Sequence, residues 1–430
     1  MNTQKIIDIL KTNNVFLTGG AGVGKSYTTR EIVREYILAK KSVITLGSTG
    51  ISAINIAGQT IHSFFIFGIS SDFDELEISD RYNRSRIKEL NKILSKLDLL
   101  VIDEISMVSA SMMDMILYRL RNGGFKGRLL VVGDFFQLPP ILKKNSSASI
   151  FDDSIYAFEG SSWEYFDFKV VELKEVKRTD DKEFMGILNK IRVGEVDSEV
   201  VSYLENLREY KVLDEPSVLF GTNREATKLN YLKLNSLPQK EIVIESIKKK
   251  KDKNLSDKKI QSWINSLPIE DNLVLKEGAK VLFTTNKWGS YHNGERALVE
   301  HIEEDHVVVS LLSNGKLIKV DRFEFEMSRS VVKDDKVEQE VLYSLKQFPL
   351  RLCYAITIHK SQGMGIDELV CNVDNIFATS QFYVALSRST NPKKLMIEYN
   401  RKGFENYLKR VIKVSENVKD FYTKTKPIGL

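Results

Sequence analysis

Residues Gly19 to Ser26 read GGAGVGKS, a glycine-rich run ending in Lys and Ser directly after the apolar triplet Val15-Phe16-Leu17. The spacing G-x-x-x-x-G-K-S commits this part of the chain to a strand, a tight loop and a helix. Glycines let backbone N–H groups converge on phosphates, and the helix N-terminus adds its dipole. Gly19, Gly20, Ala21, Gly22, Val23 and Gly24 are expected to cradle the phosphates of a nucleoside triphosphate. Lys25 would reach the β- and γ-phosphates, Ser26 would hold Mg²⁺, and Tyr27 follows in the same turn.

The next segments extend this start into a parallel sheet. Val43-Ile44-Thr45-Leu46 runs into Gly47-Ser48-Thr49-Gly50, Leu99-Leu100-Val101-Ile102 into Asp103-Glu104, and Leu129-Leu130-Val131-Val132 into Gly133-Asp134. Each run is short, apolar on both faces and bounded by small or polar residues, as a strand covered on both sides must be. The unusual residues stand at the carboxyl ends, where ligands gather in such sheets. A second set follows: Ser217 to Phe220, Arg351 to Ile358, Glu368 to Cys371 and Lys394 to Ile397. The fold class is therefore α/β, with two parallel-sheet domains.

Between the two halves of the second set the texture changes. From Lys280 to Phe325, strand-like runs are separated by Asn293-Gly294 and Asn314-Gly315, both strong hairpin signals. A small inserted β-barrel is expected. The domain boundaries then fall at 1–168, with a polar insertion near 66–97; at 169–230 plus 345–430; and at 231–344 for the insert. The 66–97 insertion is expected to carry a wedge that splits base pairs. The run KKKKDKNLSDKK from Lys248 to Lys259 lacks apolar periodicity and reads either as a solvated loop or as a phosphate contact with duplex.

Composition excludes more than it selects. Sixty-three basic residues stand against 58 acidic ones, so a polyanion partner is permitted and must be argued from particular residues. Nothing approaches 18 consecutive apolar residues, and Met1 to Asn14 has no signal-peptide core, so no membrane association and an intracellular location are expected. Cys353 and Cys371, without C-x-x-C spacing, offer neither a disulfide framework nor a zinc site.

Asp103 and Glu104 supply the second half of a nucleotide-hydrolysing site. Asp103 is placed for the Mg²⁺ shell, and Glu104 to orient or deprotonate an attacking water. Gln137, in GDFFQLPP, suits a γ-phosphate reporter, and Arg178 and Arg388 suit arginine fingers. Thr285-Asn286-Lys287-Trp288 is similar to a guanine-reading loop, but its Asp is missing, with Gly289 and then Ser290 following Trp288, so GTP is set aside.

A single nucleic-acid strand is held by hydroxyl and amide contacts to phosphate and by flat side chains against bases. Thr49, Ser63, Thr357 and Ser361 are candidates for the first kind of contact. Phe64, Phe65, Phe135 and Phe136 are candidates for the second, with one ring of each pair expected in the core and one at the strand.

At this point the chain resembles a known family. TGGAGVGKS, STGISAINIAGQTIHSFF, LLVIDEISMV, VVGDFFQLPP, ITIHKSQGMGID and QFYVALSRS occur in the order seen in the PIF (petite integration frequency) family, a RecD- and Dda-like branch of the superfamily 1 DNA helicases. The resemblance runs from about residue 4 to 390, and Asp114 to Arg121 resembles the family's signature segment.

The resemblance implies two RecA-like domains with an Src-homology-3-like insert, and Mg-ATP hydrolysis between those domains. It implies a DNA helicase that translocates 5′-to-3′ on single strands and unwinds forked or partial duplex, in DNA replication and repair and, across the family, telomere maintenance. It puts Gln4 on adenine and Lys25, Ser26, Asp103, Glu104, Gln137, Arg178 and Arg388 on the hydrolysis positions. It puts Thr49, Gly50, His62, Ser63, Phe64, Thr357, His359, Lys360 and Ser361 in motifs that face DNA.

Departures are few: KRTDD around Arg178 where an Arg-Gln pair is usual, Gly365 where a polar residue is common, and STG for PTG. A monomer is expected, with single-stranded-DNA-binding proteins as candidate partners, in a bacterial or phage-infected cytoplasm, and with little beyond the catalytic core. Two rival readings share the fold: a translocase that strips proteins from DNA, and an ATP-gated binding module without turnover.

Overall fold

In the computed structural model, which describes residues 2–48, 58–68, 70, 73–140, 155–175, 179–209, 213, 216–287, 289–333 and 336–430, the chain divides into two units. The first comprises Met1–Lys177, Ser328–Glu340 and Val414–Leu430, and the second Arg178–Met327 and Val341–Lys413.

The first unit is built on six strands, β1 (Val15–Thr18), β2 (Val43–Gly47), β3 (Gln59–Thr60), β4 (Leu99–Asp103), β5 (Arg128–Val132) and β6 (Lys169–Glu172). A two-residue strand, Ile428–Gly429, completes the sheet at one edge, in the order Ile428–Gly429, β6, β1, β5, β4, β2, β3. All pairings are parallel. Register matters for the site: Leu17 lies opposite Val132, and Ile102 opposite Val131. The loops that leave β1, β5 and β4 therefore emerge side by side at one end of the sheet.

Strand alternation decides what covers each face. Val15 and Leu17 join Val101, Leu130 and Val132 in a core with Ile6 and Leu10 of helix α1 (Asn2–Leu10) and Ile32 of helix α2 (Lys25–Leu38). Phe16 points the other way, into an aromatic cluster with Phe135, Trp163 and Phe421, at ring separations of 5.3, 5.4 and 6.1 Å. Phe421 comes from the helix Glu416–Thr425. Residues 414–430, which the sequence reading left with the second α/β domain, thus pack on the first. A two-residue strand and one short amphipathic helix carry no local signal of which sheet they join.

The insertion near 66–97 is helical over Phe73–Tyr82 and Arg84–Leu94, with Leu76, Leu90, Ile93 and Leu94 buried. It is clamped by Arg119, which is 2% exposed. Arg119 grips Asp80 with two bonds of 2.6 and 2.5 Å and donates a third to the Phe65 carbonyl at 3.0 Å.

In the second unit a four-stranded parallel sheet runs Ala355–Thr357, Ser217–Phe220, Leu369–Asn372, Leu395–Glu398. The inserted region forms a five-stranded antiparallel sheet in the order Leu317–Asp321, His306–Leu311, Arg296–Ile302, Lys280–Phe283, Leu350–Leu352. Its core gathers Val281, Phe283, Val299, Val309 and Phe348. Gly294 and Gly315, the glycines of the two Asn-Gly pairs, stand at φ 86° and 71°, which a side chain would resist.

The lysine run is a loop only in its middle, over residues 251–256. Ile247–Lys250 is a strand, antiparallel to the segment Lys346 to Tyr343, and Asp257–Ser266 is a helix. Lys248 pairs with Asp271 at 2.7 Å and Lys250 with Asp257 at 3.5 Å. No described helix is long and apolar enough to cross a membrane.

Candidate active site

The phosphate loop follows from the geometry of its glycines. Gly19 has φ 143°, and a Cβ there would sit 2.4 Å from the Leu173 carbonyl oxygen, so no other residue fits. Gly24, at φ 86°, is the N-cap of α2 and brings no side chain to it. The first turn of α2 also lacks acidic residues. The helix N-terminus turns its positive dipole end towards the loop, as anion binding requires. The Lys25 ammonium lies back along the loop and donates to the carbonyls of Gly19 at 2.8 Å and Gly20 at 2.9 Å. Ser26 is exposed at the same turn.

Asp103 ends β4 and is 7% exposed. Burial, then repulsion from Glu104, pushes its carboxyl up to about 7, while the Glu104 N–H and the Lys25 ammonium pull it back. Two adjacent carboxylates held at the end of a buried strand favour a cation. That suits Mg²⁺, which takes one or two protein oxygens and completes its shell with phosphate and water. Asp103 and Ser26 fit that demand.

Gln137 is 6% exposed and closes a turn after β5, its N–H donating to the Asp134 carbonyl at 2.8 Å. Beside the loop a cavity of about 570 Å³ is lined by Gln4, Val23, Tyr27, Leu173, Glu175 and Leu430. Gln4, at an exposed face of α1, and Tyr27, with 60% of its surface open, flank it as base-reading groups would.

The nucleic-acid candidates fare unevenly. Thr49, Gly50 and Arg178 lie outside the described residues. Ser63 is exposed, and His62 is half-buried with its ring edge-on to Phe67 at 6.2 Å. Phe64, Phe65, Phe135 and Phe136 are all at most 5% exposed, so the expected division of each pair into a core ring and a free ring does not hold. Phe64 packs edge-on against Phe65, and Phe136 stacks on Tyr422 at 4.8 Å. Aromatic burial outweighs an exposed stacking surface here.

In the second unit Ser361 is fully buried and its hydroxyl donates to the Ile358 carbonyl at 2.8 Å, which removes it from direct phosphate contact. Thr357 is 4% exposed and its hydroxyl oxygen accepts the Lys360 N–H at 3.4 Å. His359 and Lys360 are half-buried, and the His359 ring lies near-parallel to Phe377 at 6.3 Å. Arg388 is 2% exposed and donates to the carbonyls of Val384 at 3.0 Å and Ser361 at 3.3 Å. Its guanidinium thus organises the IHKSQG turn from within.

Sequence reasoning missed Tyr422. Its hydroxyl shares a 2.8 Å hydrogen bond with Thr18 Oγ1 and accepts the Phe135 N–H at 3.2 Å. The only hint was Val418 with Phe421 and Tyr422 at helical spacing.

Comparison with known proteins identifies the family. Residues 3–202 match the model of the PIF1-like helicase family. The chain is 42% identical to an ATP-dependent DNA helicase Pif1 of Campylobacter jejuni, over 98% of its own length and 97% of that protein. Among solved structures it is similar to Bacteroides sp. Pif1 in complex with ADP-AlF4, with a TM-score of 0.83, 30% identity, and 99% and 96% of the two chains covered. It is also similar to Bacteroides Pif1 bound to single-stranded DNA, with a TM-score of 0.67, 30% identity, and 98% and 95% covered.

Proposed function

The chain belongs to the PIF1-like helicases, ATP-dependent DNA helicases, and from that premise we propose that it moves 5′-to-3′ along single-stranded DNA and opens duplex at forks and partial duplexes, driven by Mg²⁺-dependent ATP hydrolysis. The observation that carries this reading is the register of β1, β5 and β4, which sets Lys25, Gln137 and the Asp103-Glu104 pair on adjacent loops.

In the proposed cycle the α2 N-terminus and Lys25 hold the phosphates, and Gln4 and Tyr27 hold the base. Mg²⁺ would be held by Ser26 and Asp103 and would supply charge neutralisation at the phosphates. Glu104 orients the attacking water and takes its proton. Gln137 senses the γ-phosphate, and Arg178 and Arg388 carry the finger role. For Arg388 that role requires exchanging carbonyl partners for phosphate oxygens.

The single strand would be held by Thr49, Gly50, His62 and Ser63 in one α/β domain and by Thr357, His359 and Lys360 in the other. The single-stranded DNA bound by a Bacteroides relative supports that partner. An inserted domain of Src-homology-3 type, action as a monomer, contact with single-stranded-DNA-binding proteins and residence in a bacterial or phage-infected cytoplasm complete the proposal.

ATP hydrolysis with and without single-stranded DNA tests it, with Lys25→Ala subtracting contaminants. DNA stimulation with opening of 5′-tailed but not 3′-tailed duplex is expected. DNA-independent turnover would remove the motor, and opening of 3′-tailed duplex alone would reverse the polarity.

A further inference from the structure

Residues 414–430 enter the first unit at the loops that do the chemistry. The helix Glu416–Thr425 is tied down at its start by Asn417, which donates to Glu159 Oε1 at 2.6 Å. Beyond it Ile428–Gly429 pairs with Val171 and Glu172 of β6, and Leu430 lines the cavity beside Gln4 and Tyr27. Between these anchors Phe421 enters the cluster of Phe16, Phe135, Phe158 and Trp163.

Tyr422 does something its neighbour cannot. Its ring lies on Phe136 at 4.8 Å and 14°, and its hydroxyl meets both Thr18 Oγ1 and the Phe135 N–H. Thr18 is the residue before Gly19, the first residue of the phosphate loop, and Phe135 is two residues before Gln137. One hydroxyl therefore fastens the root of the loop that holds phosphate to the root of the loop that carries the γ-phosphate reporter. Partly buried polar contacts of this kind hold two backbone segments in one relative setting.

We propose that Tyr422 is a positioning residue for ATP hydrolysis, coupling the phosphate loop to the Gln137 loop so that displacement of one is passed to the other. This rests on the reading of Gln137 given above. The residue touches no nucleotide; it acts through Thr18 and Phe135.

The test uses the whole chain and compares Tyr422→Phe, Thr18→Val and the double variant with Gln137→Ala, under saturating single-stranded DNA. Tyr422→Phe keeps the ring stack and removes only the hydroxyl. Its kcat should fall by about fivefold or more, because two hydrogen bonds are lost. The KM for ATP should stay within about twofold, because the phosphate contacts themselves are untouched. Thr18→Val should move the same way and no further, and the double variant should be no worse than Tyr422→Phe, because the Thr18 contact is one of the two that Tyr422→Phe already removes.

Unchanged kcat in Tyr422→Phe, with Gln137→Ala strongly depressed, overturns the coupling and leaves the Gln137 reading standing. Unchanged kcat in Gln137→Ala overturns that reading and the coupling together. A fall in kcat matched in both hydroxyl variants by loss of the cooperative melting transition assigns Tyr422 to folding alone and also overturns the proposal.

Discussion

Glu104 donates its backbone N–H to Oδ1 of Asp103 at 2.9 Å, and it does so from the left-handed region, at φ 54°. A non-glycine residue held there is strained, and the strain turns the chain sharply at the end of β4 into the 3₁₀ turn Ile105–Met107. The turn sets two consecutive carboxylates in different surroundings, with Asp103 buried and Glu104 half-exposed. Glu104→Gln preserves the turn and its N–H while removing the proposed base. Turnover should drop by about 100-fold or more, as for loss of a general base. Binding of a fluorescent ATP analogue should persist. Hydrolysis at the parent rate in a clean Glu104→Gln preparation would take the catalytic role away from this residue.

A buried ion pair fixes the helical insertion. Arg119 keeps three of its donors occupied, two on Asp80 and one on the Phe65 carbonyl. Removing the carboxylate in Asp80→Ala leaves a guanidinium that is 2% exposed with one partner. Because Asp80 itself is 21% exposed at its side chain, the loss should sit near the low end for buried pairs, about 3 kcal/mol. Urea unfolding measures it. Asp80→Leu combined with Arg119→Met should recover much of the loss, since no charge is then left uncompensated. A change below about 0.5 kcal/mol in Asp80→Ala would show that the pair is decoration.

What the sequence could and could not disclose divides along physical lines. Strands β1, β2, β4 and β5 were readable because a parallel strand covered on both faces must be continuously apolar and must end in small residues at a ligand site. Phe16 and Leu17 look alike in the sequence, yet they face different layers, and only packing separates them. The strand at the start of the lysine run could not be read because side chains paired with Asp271 and Asp257 leave no apolar alternation to betray it. The burial of Phe64, Phe136 and Ser361 could not be read from motif position, because a motif conveys chemistry and not which side chain a neighbour covers. Tyr422 was invisible for the same reason: its partners Thr18 and Phe135 stand far away in sequence.

The two thiols should be inert in the native chain. Cys353 and Cys371 are both buried, and burial pushes the Cys353 thiol up to about 11 and that of Cys371 up as well. A raised pKa means that the thiol stays protonated, and only the thiolate attacks a disulfide reagent. At about pH 8 a small fraction of an ordinary thiol is already ionised. Here that fraction should be negligible. Titration with an aromatic disulfide reagent should count no fast-reacting thiol before urea and both after it. Rapid modification of the folded chain would place a cysteine on an accessible surface.

His359 should make the fold acid-sensitive. Its imidazole lies in the IHKSQG turn, and burial holds its pKa below the ordinary 6.5. The unfolded chain therefore takes up a proton at this position at a higher pH than the folded chain does. The sign follows by linkage: stability contributed here is complete above the unfolded pKa, declines as pH falls below it, and levels off below the folded pKa. The urea midpoint should fall between about pH 7.5 and pH 5.5, and His359→Gln should reduce that fall, because its amide does not titrate. The same shift makes the ring neutral at about pH 7, so any contact it makes with single-stranded DNA there is a stack or a neutral hydrogen bond and not an ion pair. A midpoint that falls equally in the chain and in His359→Gln would put the acid sensitivity on other groups. A rise in the midpoint on acidification that the substitution abolishes would mean that His359 is held charged, contrary to its burial.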